Sequence, residues 1–118
     1  YAEQSAASPD VYNQCVEQTI EKLALGNINN AVVESCSNQS RAYYEKEIVK
    51  VLDQIKKQSQ IDLRQERYND IMKSQRLWKA YVDQECQNAG SYIGSPMYAF
   101  CPMQEYGKRL DQLTEYAQ

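Results

Sequence analysis

Four cysteines carry the clearest chemistry in this chain, and they fall in two close pairs, Cys15 with Cys36 and Cys86 with Cys101. There is no histidine and no Cys-x-x-Cys, so zinc-finger, zincin and thioredoxin-type chemistry lack their ligands or their spacing. A zinc site built from all four cysteines stays formally open, on poor spacing. Two disulfides are the expected use, and they imply an oxidising compartment: periplasm, cell surface or outside. Without histidine the usual general base and the nucleophile triads are missing as well. Asp83 with Glu85, and Asp111 with Glu115, are the remaining acid–base candidates. A glycosidase needs two carboxylates across a cleft, which a few short helices rarely enclose. No phosphate-binding glycine loop and no Gly-x-Ser-x-Gly occurs. The chain reads as a binding or structural protein, not an enzyme, with no cofactor and no metal expected.

A second group is rich in hydroxyls. Ser91, Tyr92 and Ser95 lie within Gly90–Pro96, and Tyr98 follows. The stretch reads as a helix end, a turn and a new helix start. Gly90 is the expected terminator, and Ser95-Pro96 the N-cap and first helical position. At about 1.5 Å of rise per residue, the sulfurs of Cys86 and Cys101 stand roughly 6 and 9 Å from the turn. That is nearly one height in an antiparallel hairpin, so a Cys86–Cys101 disulfide is geometrically natural. A loop held at both ends loses less entropy on binding. Tyrosine offers a large amphipathic contact, and serine hydroxyls suit carboxylates of a partner. Ser91, Tyr92, Ser95 and Tyr98 are therefore the candidate binding residues. The plainer alternative is a mere helix connection, with Tyr92 or Ile93 folded back onto the core.

These residues need elements to hold them, and the pattern is helical throughout. Hydrophobic residues make up 42% of 118, enough for one modest core. We expect a small polar arm over 1–8, flexible, and a single helical domain over 9–118. Ser8-Pro9 is a cap for a first helix. Val11, Cys15, Thr19 and Leu23 form its stripe, with Tyr12, Val16 and Ile20 beside them, and Gly26 ends it. A second helix spans about 31–58, with Ile48, Val51, Leu52 and Ile55 at helical spacing. Its first half is polar, and a Cys15–Cys36 bond compensates. Tyr43 and Tyr44 read as packing residues. Asp62 is a plausible N-cap for a third helix over about 63–88. Its stripe is Ile71, Gln75, Trp78, Val82, Cys86 and Ala89. Trp78 should anchor the core through a bonded indole N–H. Arg64, Arg67, Lys73, Arg76 and Lys79 read as a solvated basic face, broken by Glu66 and Asp70. The fourth helix spans about 96–116, with Leu110 and Leu113 inward. Pro102 inside it implies a kink or an irregular first turn. The fold class is all-α: a four-helix bundle-like domain of two disulfide-stapled hairpins.

No apolar run approaches 18 residues, so no transmembrane helix is expected. The first residues show no basic or apolar signal-peptide region, and a start at Tyr1 fits a trimmed chain. Asn38-Gln39-Ser40 matches a glycosylation sequon. The net charge of −3 disfavours nucleic acid and anionic membrane, and mildly favours a cationic partner.

The stretch Gln75-Arg76-x-Trp78-x-x-Tyr81-x-Asp83-x-Glu85-Cys86, the Gly-Ser loop, Tyr98-Ala99-x-Cys101, then Arg109 and Leu113 resembles the LprI-like lysozyme inhibitor family. The likeness covers about residues 70–115 well, and the Cys15 and Cys36 region more loosely. Val82 stands where that family often has arginine, and Tyr106 where it has threonine. Trp78 and the cysteines read as structural in this motif, and Arg109 as a partner for an acid or a helix carbonyl. The resemblance implies a periplasmic or secreted protein that binds a lysozyme or another peptidoglycan hydrolase and blocks it. An immunity protein against a wall-degrading effector, or an envelope structural protein, are the alternatives.

Overall fold

The computed structural model describes residues 10–117. Four helices run through them: α1 (Val11–Lys22), α2 (Asn30–Ile61), α3 (Gln65–Tyr92) and α4 (Met97–Tyr116). The all-α fold with two stapled hairpins is present. Cys15–Cys36 joins α1 to α2 and Cys86–Cys101 joins α3 to α4, with Cα–Cα distances of 5.5 and 5.4 Å. All four thiols are consumed, which closes the zinc alternative. The arm over 1–8 and the Ser8-Pro9 cap lie outside the described residues. Asp10 caps α1 and accepts the Asn13 backbone N–H at 3.0 Å, satisfying one donor of the first turn.

α2 is the spine. Its 32 residues reach about 48 Å, and each other helix packs against it. α4 runs parallel to it: Tyr44 meets Gly107, and the Gln54 and Gln58 amides reach the Ala117 carbonyl at 3.3 and 3.2 Å. α3 runs antiparallel between them in sequence. The molecule is a rod of 56 × 31 × 22 Å, with a radius of gyration of 16.5 Å against about 13 Å for a spherical domain of this length.

There are two cores. The main one draws Ile48 and Ile55 from α2, Ile71 and Val82 from α3, and Tyr106, Leu110 and Leu113 from α4. All but Tyr106 match the expected stripes. A smaller one holds Cys15, Val32 and Cys36, with Tyr12, Val16 and Leu25 packed around it. The polar first half of α2 lies beside that small core. Its Ser37 and Ser40 are fully buried, and the disulfide compensates for the scarce apolar surface there.

Helix ends depart from expectation in one consistent way. α1 stops at Lys22, before Gly26, because Ala24 turns left-handed at φ 53°. The Ala24 N–H donates to Glu21 O at 3.2 Å and the Leu25 N–H to Ile20 O at 2.9 Å, the bond pair that closes a helix C-terminus. Leu23, expected on the inner stripe, falls past the helix and is 60% exposed. α2 ends by the same device three residues later than expected. Leu63 takes φ 56°, donating to Gln60 O at 3.2 Å, and the Arg64 N–H donates to Ser59 O at 2.8 Å. Asp62 is therefore the C-cap of α2 and not the N-cap of α3, which starts at Gln65 without a side-chain cap.

Glycine is the usual residue at such a position, since a Cβ is strained there. Leu63 is 91% exposed and gains no packing in return. Leu63→Gly is expected to raise stability by about 0.5–1 kcal/mol, read as a higher urea midpoint at unchanged slope. A lower midpoint would remove the strain assignment.

α4 continues through Pro102, which deprives the Tyr98 carbonyl of its helical donor. Its start is irregular as expected: the Tyr98 N–H donates to Ser95 O at 3.1 Å and the Ala99 N–H to Pro96 O at 3.3 Å. At its far end the Tyr116 carbonyl accepts from the Arg67 guanidinium. Neighbouring side chains thus satisfy carbonyls that a helix end leaves open.

Candidate functional site

The candidate site is the tip where α3 turns into α4. α3 runs past Gly90 to Tyr92, because packing and not backbone freedom sets the role of this glycine. Gly90 is buried, and the Tyr98 ring lies so close that a Cβ at position 90 would collide with it. The Tyr98 hydroxyl is then 3.0 Å from the Ser91 hydroxyl. Ser91 and Tyr98 are thereby brought together, one turn above the Cys86–Cys101 bond. Ser91 lies on the last turn of α3, Tyr92 is its final residue, and Ser95 lies in the turn itself. Tyr92 is 86% exposed and Ile93 76%, so neither folds back onto the core.

Two grooves flank Tyr98. One of about 280 Å³ is shared with the start of α2, where Asn30 and Glu34 face Ser95 and Pro96. The other, of about 190 Å³, runs between α2 and α3, with Tyr98, Pro102 and Tyr106 as its α4 wall. A sequence-based search missed two residues here. Ile93 enters the sequence reading only in the alternative that folds it or Tyr92 back onto the core, yet it stands exposed just past the last turn of α3. Arg41 lies in a polar stretch whose charges look interchangeable until the fold sets one of them in a groove.

The motif residues form scaffold. Trp78 sits at the edge of the main core, only partly buried. Its indole N–H makes no hydrogen bond among the described residues, contrary to expectation; the ring instead packs against a tilted tyrosine ring and a guanidinium. The Tyr106 ring is 5.1 Å away and the Arg109 guanidinium lies 5.8 Å over it. Arg109 is buried, and it pairs with neither an acid nor a helix carbonyl. It donates to Gln75 Oε1 at 2.8 Å, Ser74 Oγ at 3.0 Å and Gln112 Oε1 at 3.1 Å. Burial lowers its pKa from the ordinary guanidinium value, since desolvation penalises the charged form. The cluster clamps α3 to α4.

The acids and tyrosines noted in the sequence are also structural. Asp83 is bound to Lys79 at 2.8 Å. The Asp111 carboxyl is pushed up by burial and then by Glu115. Tyr43 and Tyr44 meet edge to face at 5.7 Å. On the basic face Arg64 pairs with Glu66 at 3.5 Å, while Lys73 and Arg76 stay exposed. Among the described residues no helix is long and apolar enough to cross a membrane.

No curated protein and no solved structure matches this chain. The family model described as Lysozyme inhibitor LprI matches residues 26–113, most of the chain. The match takes in α2, α3 and most of α4, with the stapled tip and the Gln75–Trp78–Arg109 clamp, and leaves α1 outside. Members are non-enzymatic proteins that bind lysozyme, and the two disulfides agree with an extracytoplasmic setting. On this match the chain belongs to the LprI lysozyme inhibitor family.

Proposed function

We propose that this protein is a periplasmic or secreted inhibitor of a cell-wall hydrolase, most simply a lysozyme. It acts by seating the α3–α4 tip in the active-site cleft of the enzyme. One observation carries the reading: Tyr92 and Ile93 stand exposed, 86% and 76%, at the end of a rod-shaped molecule. The Cys86–Cys101 bond and the Tyr98–Gly90 contact hold the tip rigid, so little further entropy is lost on docking. Ser91 and Ser95 place hydroxyls beside that apolar pair. The net charge of −3 favours encounter with a cationic lysozyme at low salt.

The test is inhibition of lysozyme by two variants. One carries Tyr92→Ala with Ile93→Ala, the other Ser91→Ala, Tyr92→Ala and Ser95→Ala. Each is expected to inhibit about 30-fold less well or worse, the scale of losing a central interface anchor, with an unchanged helical spectrum. A folded variant that inhibits like wild type would move the interface off the tip. Should the protein bind a wall-degrading effector toxin and no lysozyme, an immunity role replaces that of a general inhibitor.

A further inference from the structure

Arg41 of α2 is partly buried and makes no ion pair or hydrogen bond among the described residues. It lines the 190 Å³ groove together with Lys79 and Asp83 of α3 and Tyr98, Pro102 and Tyr106 of α4. Lys79 is already committed: its ammonium lies 2.8 and 3.0 Å from the two oxygens of Asp83. Glu45, one turn along α2 from Arg41, forms no ion pair with it. Lys79 is held by Asp83 and also feels the Glu45 carboxylate, so Arg41 is the one cation lining the groove whose donors meet no side chain among the described residues. A guanidinium drawn partly out of water leaves five donors to satisfy. Its planar fork matches a carboxylate.

We infer that this groove is a carboxylate subsite of the docking surface, taking an Asp or Glu side chain of the hydrolase with Arg41 as counter-ion. The inference rests on the inhibitor reading above and extends it. Tyr98 links the two, because its ring walls the groove and its hydroxyl bonds Ser91 of the tip. Glycosidases carry paired carboxylates in their clefts. The groove supplies a guanidinium fork that a tip of Ser91, Tyr92, Ile93 and Ser95 lacks.

Two measurements test it. The first is the Kd for lysozyme of wild type, Arg41→Gln, Arg41→Lys and Arg76→Gln, by calorimetry at two salt concentrations. Arg76 serves as the control, an exposed cation of α3. Arg41→Gln is expected to bind about 30-fold more weakly at both salt concentrations, the scale for removing one partner of a desolvated charge pair. Arg41→Lys should fall between, and Arg76→Gln within about twofold of wild type. Arg41→Gln binding as tightly as wild type would end the subsite and leave the inhibitor reading standing. The second measurement needs no hydrolase: the Nε–H resonances of the arginines are followed while acetate is added. Arg41 is expected to shift first and saturate, and Arg76 to drift without saturating. Equal drift of the two would overturn the subsite. A saturating Arg41 in a protein that binds no lysozyme would uphold the subsite and sink the inhibitor reading.

Discussion

The double variant Cys15→Ser, Cys36→Ser is expected to lose α1 while the rest of the molecule stays folded. α1 has 12 residues, too few for a stable isolated helix. Its hold on the body is the small core of Cys15, Val32 and Cys36 with Tyr12, Val16 and Leu25, plus one edge-to-face contact of Tyr12 with Phe100 at 5.4 Å. The bond closes a loop of 21 residues, which the chain-entropy model values at about 3 kcal/mol. Few contacts remain to replace it. Amide hydrogen exchange reads the outcome residue by residue. Protection should vanish over α1 and persist over α3 and α4, and the far-UV helical signal should fall in proportion to one short helix. If the tip is the interface, inhibition should survive. Full protection of α1 in the variant would mean that the small core, and not the disulfide, retains it.

Leu113→Ala is expected to act on the whole bundle. Leu113 is 0% exposed and lies in the main core with Ile55 and Ile71. Three helices converge there, and little can collapse into the space left behind. Such truncations cost about 3–5 kcal/mol, part lost transfer energy and part cavity. That is a large share of the roughly 5–15 kcal/mol that stabilises a domain. Denaturant titration should show a large drop in midpoint with the slope retained. Leu77→Ala is the control: Leu77 is 66% exposed on α3, and the change should stay within about 0.5 kcal/mol. Similar losses for both variants would mean that the core is wrongly placed.

The elements and their inner faces were legible in the sequence because side-chain period alone carries them. Ile48 and Ile55, then Ile71, Val82, Cys86 and Ala89, recur at helical spacing and are buried on the expected faces. Cysteine spacing against a helical rise likewise marked Cys86–Cys101 before any contact was known. Helix ends were not legible. Ala24 and Leu63 take left-handed backbone, a choice made by the closing hydrogen bonds and not by residue preference. Gly90 looked like a terminator, and only the Tyr98 ring packed on it explains why a glycine stands there inside a helix. Partners were invisible for a related reason. Arg109 is 34 residues from Gln75 and 35 from Ser74, and no local pattern announces neutral partners for a buried cation. Composition and periodicity therefore decided helix count, inner faces and staples, which depend on neighbours along the chain. The rigid placement of Tyr98, the exposure of Tyr92 and Ile93 and the seating of Arg41 waited on the tertiary structure, because each is set by a side chain or backbone distant in sequence.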